Sequence, residues 1–306
     1  MTLPRPNLFI IGAMKSGTTS LHSYLGPHPQ IFMSQLKEPG YFVEELHWNR
    51  GEAWYLSLFR DAGDAAVVGE STTDYTKYPK YRDVPERIAR FNPAARFIYI
   101  MRDPVERTIS HYWHAVRHRL RLERRDLLTA VREEPHYRDV SHYAMQLERY
   151  IRIFGQERIL AVTFEEMNAQ PETFVTSIFR WLGVDSSFIP PNLDERSNVT
   201  PKSIRRIKGR GLLHEFRHTG LWNAVGRWVP PSVRRVGKRL AVERVDRTQQ
   251  ATAEAIAYLR PIQAEQTRKL AELLGREFPE WKTVHGRPSD VHSRAMSSRA
   301  TTAIAR

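Results

Sequence analysis

The sequence predicts an α/β fold built on a mainly parallel sheet, and three observations predict it. Short continuous apolar runs occupy residues 8–11, 65–68 and 97–101; stretches with helical spacing separate them; and turns marked by glycine or proline follow the carboxyl ends of two of the runs. Strands that are apolar throughout suit a sheet covered by helices on both faces. Ligands of such sheets collect beyond the carboxyl ends of the strands, so the turns there are the first place to look for chemistry.

Taken in order, residues 8–11 form a strand, residues 12–17 a glycine-bounded turn, and residues 18–25 a helix. The run 65–68 leads into Gly69-Glu70-Ser71-Thr72-Thr73-Asp74-Tyr75. A helix over 85–91 precedes the strand 97–101, which ends at Arg102-Asp103-Pro104. Pro104 stands where a first-turn proline is tolerated, at the head of a helix over 105–116. In 141–154, Tyr143, Leu147, Tyr150, Ile151 and Phe154 fall at three- and four-residue intervals before Gly155 stops the helix. Residues 158–164 make a further strand, giving a three-layer fold with about five strands. After Leu193 the chain turns polar and basic; a helical pattern resumes over 249–274 and ends near Trp281. The organisation expected is one domain over 1–282 with a basic, helical, lid-like insertion at about 202–247. Residues 283–306, rich in Ser, Thr, Ala and Arg without aromatics, are expected to be a disordered tail.

Composition narrows the partners. The chain has 306 residues, and its 47 Lys and Arg exceed its 34 Asp and Glu for a formal charge of +13. Residues 202–247 alone hold 13 basic and 3 acidic residues. Such a surface suits phosphates, sulfates, anionic polysaccharides or anionic lipids. No nucleic-acid motif accompanies the charge, so no nucleic-acid partner is expected. The absence of cysteine excludes a disulfide framework, thiolate metal ligands and a cysteine nucleophile. No apolar run approaches the ~20 residues that cross a bilayer, and a cytoplasmic chain, peripheral to a membrane at most, is expected.

The turn after the first strand reads Gly12-Ala13-Met14-Lys15-Ser16-Gly17-Thr18-Thr19. Its glycines have the separation of a P-loop, but Thr18 occupies the lysine position and the lysine stands earlier, at Lys15. Amides at a helix amino terminus still cradle an anion, helped by the Ser16, Thr18 and Thr19 hydroxyls. In the second turn, Arg102 at a strand end and Ser110 two helical turns later can converge on one phosphate. Asp103 at the end of the same strand also fits a magnesium-binding role, which is the kinase reading; the misplaced lysine, Arg102 before the aspartate and Pro104 after it weigh against that reading.

With both turns in view, the sequence resembles the sulfotransferases that use 3'-phosphoadenosine-5'-phosphosulfate (PAPS), particularly the heparan-sulfate and bacterial branches. R-D-P-x-x-R-x-x-S-x-Y over 102–112 looks like their 3'-phosphate motif, and residues 12–19 like their 5'-phosphosulfate loop. The resemblance implies a P-loop-type fold and assigns Lys15 to leaving-group stabilisation, Ser16, Gly17, Thr18 and Thr19 to the phosphosulfate, and Arg102 and Ser110 to the 3'-phosphate. Asp103 and Arg107 are expected to be structural, through a carboxylate cap and an ion pair. Gln35-Leu36-Lys37-Glu38-Pro39-Gly40-Tyr41-Phe42 is similar to a family stretch whose glutamate is the general base, which makes Glu38 the expected base. Gly40 stands where relatives often carry histidine, and Ser71 where the heparan-sulfate enzymes carry lysine.

Thr72, Thr73, Asp74, Tyr75, Trp48 and Trp54 are acceptor-site candidates. Asn198-Val199-Thr200-Pro201-Lys202-Ser203 with Arg205 and Arg206 resembles a loop closing on the 3'-phosphate, which adds Lys202 and Arg205 to the nucleotide contacts. The mixed apolar and arginine-rich stretch 212–240 reads either as a lid or as a peripheral membrane contact. The expectation is sulfuryl transfer from PAPS, without a metal, to a hydroxyl or amine of a carbohydrate or glycolipid. The alternatives are a P-loop kinase and a non-catalytic polyanion- or membrane-binding protein.

Overall fold

A computed structural model of the chain describes residues 3–117, 123, 125–194, 203–207, 242–246 and 249–286. Five strands make one all-parallel sheet: β1 (Leu8–Gly12), β2 (Ile31–Met33), β3 (Val67–Ser71), β4 (Arg96–Met101) and β5 (Ile159–Thr163), in the order β2-β3-β1-β4-β5. Leu8 of the central strand pairs with Gly69 on one side and Arg96 on the other. The helices are α1 (Thr18–Leu25), α2 (Gly51–Ser57), α3 (Val84–Phe91), α4 (Pro104–Arg117), α5 (Leu127–Glu133), α6 (His136–Asp139), α7 (Tyr143–Phe154), α8 (Phe164–Ala169), α9 (Pro171–Leu182) and α10 (Gln249–Leu274).

The pleat sorts each apolar run into two cores. Phe9, Ile11, Phe97 and Tyr99 enter the core that includes residues of α4, α7 and α10; Leu8, Ile10, Ile98 and Ile100 enter the other with residues of α1 and α9. Phe9 stacks on Phe97 with ring centroids 5.8 Å apart. Local chemistry fixes the helix starts: the Asp103 carboxylate caps α4 by accepting from the amides of Val105 (3.0 Å) and Glu106 (3.2 Å), and Thr163 with Glu166 forms a reciprocal cap at α8.

Two expectations change. Thr283 and Val284 are buried, and both donate to Asp103 Oδ2, at 2.8 and 3.0 Å, so order continues past the expected boundary at 282. Residues 287–306, the rest of the expected tail, lie outside the described residues. The basic insertion, expected to be helical, is bracketed by β6 (Ser203–Ile207) and β7 (Val242–Asp246), an antiparallel pair in which Arg205 faces Arg244 in register. Its interior, with the stretch 212–240, lies outside the described residues. Among the described residues, no helix is long and apolar enough to cross a membrane.

Candidate active site at the carboxyl ends of the sheet

Strands β1, β2, β3 and β4 deliver the loops that follow them to the carboxyl end of the sheet. The first loop leaves β1 at Gly12, where Ala13 N donates to Ile100 O at 2.7 Å, and enters α1 through Gly17, whose φ is 96°. A side chain at Gly17 would meet Met167 Cε at 2.7 Å and a Phe164 ring carbon at 2.8 Å. The loop is therefore moulded against α8. No side chain caps the amino end of α1, and its first turn carries no acidic residue, so free amides and the positive end of the helix dipole face the loop. Ser16 and Thr18 are buried in its wall. The Ser16 hydroxyl has at most a loose approach to the Tyr143 hydroxyl.

Lys15 sits at the crest of this loop at φ 73°. Burial lowers its pKa first, and the positive charges of Arg102, Arg117, Arg107 and Lys37 lower it further. Of the three non-glycine residues at positive φ among those described, two are Lys15 and Glu38. Sparsely populated backbone conformations held at a shared site are a pointer to function.

Arg102 ends β4. Its backbone is clamped by Tyr143, whose hydroxyl donates to Arg102 O at 2.6 Å and lies 3.3 Å from Arg102 N. Its guanidinium lies over the Phe164 ring, 5.2 Å from the centroid, and reaches Glu106 at 3.3 Å. Ser110 lies buried on α4. Asp103 is structural as expected: both carboxylate oxygens are occupied by backbone amides. The ion pair expected of Arg107 is absent among the described residues. Its buried guanidinium instead donates to Ser141 Oγ, Tyr137 O and Met14 O, and burial brings its pKa down to about 10. Met14 belongs to the Lys15 loop, so Arg107 ties the two loops together.

Glu38 sits at φ 59° on the loop after β2. Its backbone N–H donates to Ser71 O at 2.9 Å; its carboxylate accepts from Thr73 N at 2.7 Å and pairs with Lys37 Nζ at 2.9 Å. The carboxylate keeps 37% of its side-chain surface open, which leaves it accessible to a small reactant. Trp48 and Trp54 lie together against Tyr41, with ring centroids 5.1 and 6.3 Å away, and Trp48 is exposed. Asp74 is paired with Lys77, while the Tyr75 hydroxyl is turned inward to Glu70.

The structure thus sets Lys15, Ser16 and Gly17 on the loop after β1, Thr18 and Thr19 at the head of α1, Arg102 after β4 close enough for its charge to act on Lys15, Ser110 on α4, and Glu38 on the loop after β2. Lys202 lies outside the described residues. The backbone of β6, which carries Arg205, approaches α4, and the side chain of Arg205 lies outside the described residues. Sequence reasoning missed Lys37, Glu70 and Glu165. Lys37 was legible as the cation adjoining Glu38. Glu165, in the first turn of α8, accepts from Asp103 N at 3.0 Å and is pushed up to about 7 by burial, against the pull of that amide and of Arg102. Among the described residues, no group of three or more His, Asp or Glu is placed to hold a metal ion.

The model of the family described as "Sulfotransferase family" matches residues 41–188. That span includes the Arg102 and Ser110 turn and begins just after Glu38. The bifunctional heparan sulfate N-deacetylase/N-sulfotransferase 3 of Homo sapiens is 28% identical over 248 residues, 74% of this chain and 27% of that protein. The heparan sulfate glucosamine 3-O-sulfotransferase 3B1 of Homo sapiens is 28% identical over 186 residues, 58% of this chain and 46% of that protein. The chain thus spans less than half the length of either relative. The crystal structure of a sulfotransferase from Alicyclobacillus acidocaldarius superposes with a TM-score of 0.65 at 25% identity, covering 91% of this chain and 99% of that one.

Proposed function

We propose that this chain, a sulfotransferase by its family match, relatives and structural neighbour, moves the sulfuryl group of PAPS to a hydroxyl or amine of a carbohydrate or glycolipid. The observation that carries this reading is the placing of two unlike groups on loops at the carboxyl ends of one parallel sheet. Lys15 stands on a loop of uncapped amides, and the accessible carboxylate of Glu38 is fixed beside Thr73.

The loop fits a phosphosulfate: the amides at the head of α1 and the hydroxyls of Ser16, Thr18 and Thr19 offer donors, and Gly17 lets the backbone close on α8. Arg102 and Ser110 receive the 3'-phosphate, with Lys202 and Arg205 as further contacts. Glu38 removes the proton from the acceptor as its oxygen or nitrogen attacks sulfur. The bond from sulfur to the bridging oxygen breaks in line, and Lys15 neutralises the charge arriving on the departing 3',5'-bisphosphate. Lys37 holds the Glu38 carboxylate between turnovers.

A kinase reading would need Asp103 free to bind magnesium, and four backbone amides already occupy its carboxylate. The acceptor class follows from the names of the relatives, which act on heparan sulfate. Incubation with sulfur-labelled PAPS and a panel of oligosaccharides, glycolipids, phenols and amines tests the whole proposal. Label is expected in a saccharide-containing acceptor; label confined to phenols or amines overturns the acceptor class. Its absence from every class, with no labelled sulfate released, overturns the activity.

A further inference from the structure

Glu70 is completely buried, yet it lies three residues before Thr73, the residue that holds the Glu38 carboxylate. We propose that Glu70 is a positioning residue for Glu38, holding through Thr72 and Tyr55 the loop on which Glu38 stands. This rests on the assignment of Glu38 as base.

The chain of contacts is continuous. Glu70 Oε1 accepts from the hydroxyls of Tyr55 (2.9 Å) and Tyr75 (2.6 Å), and Oε2 accepts from Thr72 Oγ1 at 2.6 Å. Because the single proton of Thr72 goes to Glu70, its oxygen is free to accept Gly40 N–H at 3.2 Å, two residues beyond Glu38. The next residue, Thr73, donates its backbone N–H to the Glu38 carboxylate, and the preceding one, Ser71, accepts the Glu38 N–H. Tyr55 closes the other side: its ring stacks on Tyr41 of the same loop at 4.4 Å and 11°. Residues 71–73 therefore hold residues 38–40 at three points, and Tyr55 adds a fourth hold at Tyr41. Only an acceptor carboxylate at position 70 orients the Thr72 hydroxyl this way while serving both tyrosines.

The arrangement is poised to respond to pH. Burial pushes Glu70 up to about 7, with the Thr72, Tyr75 and Tyr55 hydroxyls pulling it down and the negative charge of Glu38 adding to the rise. The titratable groups facing it are Tyr55 from α2, Tyr75 from the turn after β3, Tyr150 from α7 and Glu38 itself. A proton on Glu70 turns one acceptor oxygen into a donor, so one of the three hydroxyls must turn round to accept or let go, and the orientation of the Thr72 hydroxyl is no longer fixed.

Site-resolved amide hydrogen exchange on the full chain tests the proposal without requiring the acceptor. In Glu70→Gln, protection at Gly40 and Thr73 is expected to fall roughly tenfold, the loss of about one hydrogen bond, while β1 and β4 keep theirs. Thr72→Val is expected to match it at Gly40, Thr72→Ser to restore protection, and the Glu70→Gln/Thr72→Val double variant to be no worse than the more affected single variant. In wild type, protection at Gly40 is expected to drop as pH falls through 7. Changes under twofold at both amides in the folded variants, or an equal loss across the sheet, overturn the proposal. If Glu70→Gln fails to fold, the Thr72→Val and Thr72→Ser pair decides. Full turnover in Glu38→Gln would remove the base assignment while leaving the exchange result standing, so the two failures are separable.

Discussion

Lys15 and Glu38 divide the chemistry by charge, and each is held where its charge is useful. Lys15 is surrounded by other cations and has no carboxylate partner among the described residues, so an arriving polyanion relieves that repulsion. Lys15→Ala is expected to lower the turnover number by about 10²–10³-fold, the range for removing one charge-stabilising donor; single-turnover kinetics with PAPS measure it. Glu38→Gln is expected to abolish transfer while calorimetry shows affinity for 3',5'-ADP changed by less than about twofold, since the amide keeps the Thr73 contact but cannot take a proton. Glu165 gives a prediction on stability. Its folded pKa of about 7 exceeds the ordinary 4.5, so between those values the folded chain holds a proton that the unfolded chain has lost. The contribution is present below pH 4.5 and lost as pH rises through 7; urea unfolding of Glu165→Gln is expected to show a shallower loss of stability from pH 5 to 8 than wild type. Lys15, Arg102 and Ser110 were legible in the sequence because motif spacing ties them to a strand end. Glu165 was not, since a glutamate looks the same in sequence whether buried or solvated.

At the scale of elements, the turn from β1 into α1 depends on Gly17 as much as on Lys15. Gly17→Ala must accommodate a methyl group against Met167 and Phe164 at φ 96°, which is expected to cost about 1–3 kcal/mol of stability and to weaken 3',5'-ADP binding. Thermal unfolding and calorimetry on the one variant read both effects. Asp103 joins the start of α4 to residues 283–284, far away in sequence, through four hydrogen bonds accepted from backbone amides. Asp103→Ala leaves those amides unmet and is expected to cost about 3 kcal/mol or more in denaturant unfolding. Strands β1 and β4 were plain in the sequence because each is an unbroken apolar run. The run at 65–68 marked β3 but placed it early, since the strand continues through the polar Glu70 and Ser71. Strand β2 was missed: it has three residues, too few to show a period. The expected Arg107 ion pair failed for a physical reason, because carbonyl and hydroxyl oxygens satisfy a buried guanidinium as a carboxylate would.

Across the whole molecule, the β2-β3-β1-β4-β5 order sets the ends of β2, β3, β1 and β4 side by side, so the loops that carry residues 38, 15 and 102, distant in sequence, leave the sheet at the same end. Sequence spacing foresaw the α/β class and the parallel sheet, and left strand order open, because order is set by long-range pairing rather than by any local pattern. The central claim is that this end of the sheet recognises a 3'-phosphorylated sulfonucleotide and carries its sulfuryl group away. Isothermal titration of the full chain with 3',5'-ADP and with ATP tests its recognition half most directly. The account predicts tight binding of 3',5'-ADP, weakened in both Lys15→Ala and Arg102→Ala, and weak binding of ATP. Tighter binding of ATP, or 3',5'-ADP affinity unchanged in both variants, would contradict it.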